Sequence, residues 1–244
     1  MKGVFLIIGL LLTGVLAWLL WLGGGMRTVY SLWLITQVEP YQQQVADAPT
    51  ILVLGDSTAY GTGATQAADS IAGRIGAAYP SYSVRTQAKN GITVDSLQAR
   101  IHDWVDFDTR YPLIVVQIGA NDVRGDAAIA SIISQVDKLV LTLQPVADEI
   151  VWLSSGNIGA ATAVAPSAVS RLTERSRQFA VAAEQLADQY EAVAYVNLFR
   201  EPDEDVFVAD PSRYLAIDGL HPSSDGYAVW FSSLEPVLEE RLTD

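Results

Sequence analysis

Two short segments of this chain carry the three side-chain types that together can activate a serine. Ser57 follows the apolar run Thr50–Leu54 within Gly-Asp-Ser-Thr. Asp218 and His221 lie near the C-terminus within Asp-Gly-Leu-His. A serine hydroxyl is a weak nucleophile unless a base takes its proton, and that base acts best when a carboxylate fixes its tautomer. The only other histidine is His102, so the residue types indicate a serine hydrolase with few candidates for the base.

The elements that would position these residues alternate along the chain from position 50 onward. Short, mostly continuous runs of Val, Ile and Leu are typical of strands covered on both faces. They occur at Thr50–Leu54, Ser83–Gln87, Leu113–Ile118, Ile150–Leu153 and Ala192–Asn197. Helices are predicted over Ala67–Ala78, Val94–Trp104, Ala127–Leu143, Ser167–Tyr190 and Ser224–Leu242. Alternating strands and helices predict a three-layer α/β/α fold with a parallel five-stranded sheet.

Polar segments follow several of these predicted strands. Ser57 follows the first strand, Asn90-Gly91 the second and Gly119-Ala120-Asn121-Asp122 the third, while Asp218 to His221 precedes the last helix. In an open α/β sheet, ligands bind beyond the carboxyl ends of the strands. The fold therefore predicts that the four segments meet at one edge of the sheet, where a nucleophile, a base and amide donors can converge.

Those four segments together resemble the sequence blocks of the SGNH or GDSL hydrolases, in particular the bacterial esterase, lysophospholipase and thioesterase members. The blocks are Gly55-Asp56-Ser57-Thr58, Asn90-Gly91-Ile92-Thr93, Gly119-Ala120-Asn121-Asp122 and Asp218-Gly219-Leu220-His221-Pro222. Thr58 stands where the name GDSL has leucine. The resemblance covers the chain from about Thr50 to the C-terminus and implies a flavodoxin-like SGNH hydrolase fold.

The resemblance also implies a role for each site residue. Ser57 corresponds to the nucleophile, His221 to the base and Asp218 to the residue that orients the imidazole. The oxyanion hole would comprise the backbone N–H groups of Ser57 and Gly91 and the side-chain amide of Asn121. A glycine lets its amide approach the reacting carbonyl without a side chain in the way, and an asparagine amide is a neutral, directional donor.

Each of these residues also has a purely structural alternative. Ser57 could be a helix N-cap, Asn121 a turn residue and Asp218 a cap of the last helix. His102 lies beside an aspartate in a predicted amphipathic helix and is expected at the surface. The four blocks in this order favour the catalytic interpretation over the structural one.

Composition excludes several other classes of function. The net charge of −13 argues against nucleic acid as a partner, because phosphate binding requires clustered Lys and Arg. Asp56 and Asp122 accompany the motifs and are expected to accept backbone hydrogen bonds, without a catalytic role. No histidine joins them at ligand spacing and the chain has no cysteine, so neither a metal nor a cofactor is expected.

The N-terminal segment has the composition of a membrane span. No charge occurs from Gly3 to Met26, and about 20 apolar residues suffice to cross the hydrocarbon core. The sequence therefore predicts a transmembrane anchor over residues 1–25, with a signal peptide cleaved near Gly23-Gly24-Gly25 as the alternative. Lys2 and the α-amino group outnumber Arg27, which predicts a protein anchored in the inner or plasma membrane with its catalytic domain periplasmic or otherwise extracytoplasmic.

Residues 26–48 are then expected to form a juxtamembrane stalk, and residues 49–244 the hydrolase domain. The predicted function is hydrolysis of acyl esters through an acyl-enzyme, with a small-molecule or lipid ester such as a lysophospholipid, or a thioester, as substrate. One alternative is an O-acetyl esterase or acetyltransferase acting on a cell-envelope polysaccharide. A second alternative is a non-catalytic envelope protein that uses the fold for binding.

Overall fold

The computed structural model describes residues 9, 12–19, 25–34 and 36–242 of the chain. The described part is built around one six-stranded sheet with strand order β1-β3-β2-β4-β5-β6. The strands are β1 (Gln42–Gln43), β2 (Thr50–Gly55), β3 (Ser83–Ala88), β4 (Tyr111–Gln117), β5 (Ala147–Leu153) and β6 (Val193–Val196). Strands β2 to β6 are parallel, so their carboxyl ends face one edge of the sheet.

Helices cover both faces of the sheet, as expected for an α/β/α fold. They are α1 (Gly25–Leu34), α2 (Ser57–Tyr60), α3 (Ile71–Ala78), α4 (Val94–Gln98), α5 (Ile101–Trp104), α6 (Ala120–Arg124), α7 (Ile129–Leu143), α8 (Val169–Ala187), α9 (Val206–Ala209), α10 (Pro211–Tyr214) and α11 (Ser224–Arg241). Residues 12–19 are also helical. The first two predicted helices are interrupted. Ser70 caps α3 by accepting from the Gly73 amide, so this helix begins only after Ser70, and α4 and α5 are separate elements.

The central strand β4 shows why continuous apolar runs predicted the layers correctly. Ile114 and Val116 pack into a core cluster with α4 to α8, whereas Leu113 and Val115 pack into a second cluster with α3 and α11. All four side chains are buried because each face of the sheet carries a helix layer. The two clusters hold the strand ends in fixed positions and therefore fix the loops that follow them.

The prediction of a purely parallel, five-stranded sheet is wrong. Strand β1 adds a sixth strand and pairs antiparallel with β3, Gln42 opposite Arg85 and Gln43 opposite Val84. The strand has only two glutamines, so it shows neither the apolar run nor the alternation that identifies a strand in a sequence. It is attached by side chains as well, because the Gln42 amide donates to the Thr86 carbonyl and the Gln43 amide donates to the Tyr82 carbonyl.

The prediction of a transmembrane helix is also corrected. In the described ranges, no helix combines the length with the apolar composition that crossing a bilayer requires. The predicted anchor over residues 1–25 and the membrane-anchored, extracytoplasmic placement are therefore not retained. Residues 1–8, 10–11 and 20–24 of that segment lie outside the described residues.

Candidate active site

Ser57 is the first residue of α2, directly after β2. The preceding Asp56 caps this helix, and its Oδ1 accepts hydrogen bonds from the amide and the hydroxyl of Thr58 at 2.9 and 2.8 Å. A Cβ on Gly55 would lie 1.8 Å from the Gln117 carbonyl oxygen, so only glycine fits where the chain leaves the sheet. The Ser57 hydroxyl makes no hydrogen bond within the described chain and lines an open cleft, which leaves Oγ free to meet a substrate.

Asp218 and His221 form a hydrogen-bonded pair in the loop before α11. His221 Nδ1 lies 2.6 Å from Asp218 Oδ2, and the other carboxylate oxygen accepts from the Leu220 and His221 amides at 3.0 and 3.1 Å. Asp218 is fully buried and His221 is 8% exposed. Because a carboxylate only accepts, the shared proton lies on Nδ1, and Nε2 of the neutral ring is the acceptor.

The carboxyl group of Asp218 remains ionised in this environment. Burial by itself would raise its pKa, but hydrogen bonds from His221, Ser31 and the Leu220 amide, together with the charge of His221, outweigh burial and hold the pKa at about 2. An ionised carboxylate at this position can stabilise an imidazolium on His221.

Gly91 and Asn121 lie in the same cleft as Ser57 and His221. Gly91 has a φ of +79°, which favours glycine, and nothing lies within 4 Å of the position that its Cβ would take. Asn121 is in the first turn of α6, and its Nδ2 donates to the Ile92 carbonyl at 2.9 Å. The Ser57 amide belongs to the first turn of α2, where amides have no helical acceptor. The structure thus brings together all five residues that the sequence singled out.

The two motif carboxylates that were not assigned to catalysis hold loops in place. Asp122 accepts from the Val94 amide, with both oxygens 3.2–3.3 Å away, and thereby joins α6 to α4. Burial raises its pKa to about 6. Burial also raises the pKa of Asp56 to about 6, against the lowering effects of Thr58 and of the charge on His221. His102 is exposed, as predicted, and its ring packs on Phe107.

The cleft around these residues has a volume of about 1070 Å³. One wall is the loop at 156–166, and buried side chains of Phe207, Leu215 and Trp230 contribute apolar surface. No cluster of three His, Cys, Asp or Glu side chains able to hold a metal ion occurs in the ranges that the structure describes.

Helix α1 forms a further part of the cleft, which the sequence analysis missed. Thr28, Tyr30 and Ser31 line it, and the Ser31 hydroxyl donates to Asp218 Oδ2 at 2.7 Å. Residues 25–34 were interpreted as part of a stalk. One sequence feature could have indicated that α1 contacts the domain. Thr28 and Ser31 lie three positions apart, so their hydroxyls share one face of a largely apolar helix.

With this geometry established, comparison with known proteins decides the family. The model of the GDSL-like lipase/acylhydrolase family matches residues 53–229. The chain belongs to this family. It is accordingly a carboxylic ester hydrolase, and the predictions of an SGNH/GDSL member and of an esterase are confirmed.

Solved structures of esterases share the fold at low sequence identity. An acetylxylan esterase from Geobacillus stearothermophilus, solved as a catalytic mutant, is 18% identical, with a TM-score of 0.56 over 82% of this chain and 97% of that one. TesA is 19% identical, with a TM-score of 0.59 over 79% and 99%. A lipase/acylhydrolase from Enterococcus faecalis is 17% identical, with a TM-score of 0.55 over 80% and 97%. Comparison with curated protein sequences gives no significant match.

Proposed function

We propose that this esterase cleaves acyl esters with a triad of Ser57, His221 and Asp218. The observation that supports this most directly is the 2.6 Å contact between His221 Nδ1 and Asp218 Oδ2 in the cleft that also contains the unbonded Ser57 hydroxyl. The pair supplies a base of fixed tautomer, and the hydroxyl supplies a nucleophile. Neither group requires a cofactor or a metal for this chemistry.

The proposed reaction passes through an acyl-enzyme. His221 Nε2 takes the Ser57 proton while Oγ bonds to the ester carbonyl carbon, and the carbonyl oxygen becomes an oxyanion. The Ser57 and Gly91 amides and the Asn121 side chain donate to that oxygen. The imidazolium then gives its proton to the departing alcohol. A water molecule repeats the sequence on the acyl-enzyme, which releases the carboxylic acid and restores Ser57.

The proposed substrates are esters whose acyl chain is longer than acetyl, including lysophospholipids or other amphiphilic esters and thioesters. The cleft volume of about 1070 Å³ slightly exceeds the range of ordinary small-molecule sites, about 300–1,000 Å³. The apolar side chains of Phe207, Leu215 and Trp230 would remove an acyl chain from water.

The alternative is an O-acetyl esterase or acetyltransferase on a cell-envelope polysaccharide. One structural neighbour is an acetylxylan esterase, but identity of 18% transfers only the fold. A small acyl pocket would favour this alternative, and the large cleft favours the longer chain.

Rates on p-nitrophenyl esters from acetate to palmitate separate the two functions. Burial of one methylene is worth about 0.8 kcal/mol, so each added methylene that enters the cleft should raise kcat/KM by roughly fourfold until the chain no longer fits. A maximum at acetate would favour the O-acetyl esterase. Loss of all ester hydrolysis in Ser57→Ala, with the fold retained, would support the nucleophile, whereas activity near that of the wild type would refute the triad.

A further inference from the structure

The contact between α1 and Asp218 joins parts of the chain that are 187 residues apart. Ser31 Oγ donates to Asp218 Oδ2 at 2.7 Å, and this is the oxygen to which His221 Nδ1 also bonds. Leu34 at the end of the same helix is buried, so the helix is packed on the domain at that point as well as at Ser31. The family model matches residues 53–229, so the proposed triad is in contact with a helix that lies outside the matched residues.

The hydrogen bonds of Asp218 are distributed evenly over its two oxygens. Oδ1 accepts from the Leu220 and His221 amides, and Oδ2 accepts from His221 Nδ1 and Ser31. Among the described residues, Ser31 is the one side chain besides His221 that bonds to this carboxylate. A buried carboxylate that loses a donor can rotate or draw in water, and hydrogen bonds to charged groups are stronger than those between neutral groups.

We propose that Ser31 is a positioning residue of the active site and that α1 contributes to catalysis through it. The proposal rests on the proposed function, because it assigns Ser31 a role in the triad of Ser57, His221 and Asp218. The Ser31 hydroxyl keeps Oδ2 directed at Nδ1 and also takes up part of the negative charge on that oxygen. It therefore affects both the orientation of the imidazole and the strength with which Asp218 stabilises an imidazolium.

Other titratable groups also face this pair. Asp56, at the end of β2, interacts electrostatically with His221, and Tyr227, on α11, interacts with both Asp56 and Asp218. The Tyr227 hydroxyl is held by the Thr62 carbonyl at 2.8 Å and does not compete for Asp218. Substitution of Ser31 leaves all of these groups in place, so a change in the behaviour of the pair can be attributed to the loss of one hydroxyl.

The test compares the full-length wild type with Ser31→Ala, using p-nitrophenyl esters over a range of pH. Without Ser31, more of the negative charge on Oδ2 acts on the imidazolium, which becomes more stable. The acid limb of kcat/KM should then move to higher pH, by roughly half a pH unit. On the plateau, kcat should fall about three- to tenfold, with a change in KM of less than about twofold. Ser31→Thr keeps a hydroxyl and should restore both the rate and the pH profile.

A matched control removes a neighbouring hydroxyl that does not reach the site. Thr36 is exposed and its Oγ1 donates to the Trp33 carbonyl, so Thr36→Ala should leave the profile unchanged. Because the chain has only two histidines, ring-proton NMR can follow His221 directly, with His102→Gln assigning the other signal. The His221 ring signals should move in Ser31→Ala, which loses a donor to Asp218 Oδ2, and stay unchanged in Thr36→Ala.

Several outcomes would overturn the proposal. An unchanged acid limb and an unchanged kcat in Ser31→Ala would show that the contact does not act on the triad. Higher activity in that variant would show that α1 obstructs the cleft. Failure of the proposed function would look different, because Ser57→Ala would then retain the ester hydrolysis of the wild type. The two failures are therefore distinguishable in one set of variants.

Discussion

The side-chain amide of Asn121 has two proposed roles, donation to the oxyanion and a hydrogen bond that holds a loop in place. Replacing Asn121 with alanine tests both roles. Its Nδ2 lies in the cleft with Gly91 and Ser57, where it can donate to an oxyanion. The same nitrogen donates to the Ile92 carbonyl at 2.9 Å and so ties the start of α6 to the loop after β3. Since the amide nitrogen carries two hydrogens, one can hold the loop while the other meets the substrate.

The two duties predict effects of different size on different measurements. Loss of one oxyanion donor lowers kcat by about 10²–10³, or about 2.7–4 kcal/mol of transition-state stabilisation. Loss of the tether leaves the Ile92 carbonyl without its partner, which costs about 1–3 kcal/mol of unfolding free energy. KM should change little, because the contact to the substrate oxygen strengthens as the charge develops.

Steady-state kinetics on a p-nitrophenyl ester and urea unfolding measure the two effects separately. Asn157→Ala is the matched control, because Asn157 lines the same cleft and its Nδ2 also donates to a backbone carbonyl, that of Arg200, at 3.4 Å. It should lose stability by a similar amount but lose less than about tenfold in kcat. Equal losses of kcat in the two variants, or a change in KM alone for Asn121→Ala, would refute the assignment of Asn121 to the oxyanion hole.

Three further predictions concern the nucleophile, a buried acid and the cleft. Ser57→Ala should abolish ester hydrolysis with an unchanged circular dichroism spectrum, and residual activity near the wild-type rate would contradict the triad. Burial raises the pKa of Asp56 from 3.8 to about 6, so the folded protein must hold a buried carboxylate at higher pH. The folded state is therefore most stable below pH 4, where Asp56 is protonated, and it loses stability as the pH rises through 6. Urea unfolding measures the free energy of unfolding of Asp56→Asn relative to that of the wild type, and this difference should rise by about 3 kcal/mol in favour of the variant between pH 4 and pH 7. The same difference at both pH values would argue against the raised pKa. Ala160→Trp places a large ring in the cleft and should lower kcat/KM for octanoate more than for acetate, whereas Val181→Trp, on an exposed helix face, should change neither.

The sequence predicted those parts of the fold in which burial alone determines the residue pattern of a segment. Leu113 to Val116 had to be apolar because two helix layers cover β4, and the resulting run of four is visible without any structure. Three of the four site blocks were visible for a similar reason, since those that contain Ser57, Gly91 and Asn121 follow strands whose ends were already predicted. The fourth block, with Asp218 and His221, instead precedes the last helix. Strand β1 has no such pattern, because a two-residue edge strand of Gln42 and Gln43 depends on its pairing with β3 and not on its own side chains.

The features that could not be predicted from the sequence are contacts between segments that lie far apart along the chain. Nothing near Asn121 indicates that its amide holds the Ile92 carbonyl, because that bond depends on where α6 begins relative to the loop after β3. The apolar composition before Met26 suggested a membrane span, and this interpretation assigned α1 to a stalk outside the domain. In the structure, Ser31 instead completes the hydrogen bonds of Asp218 from the opposite end of the chain. Thr28 and Ser31 mark a polar face of this apolar helix, but two hydroxyls have too many possible partners for the sequence to select Asp218. The role of α1 can therefore be inferred only from the fold that brings the two ends of the chain together.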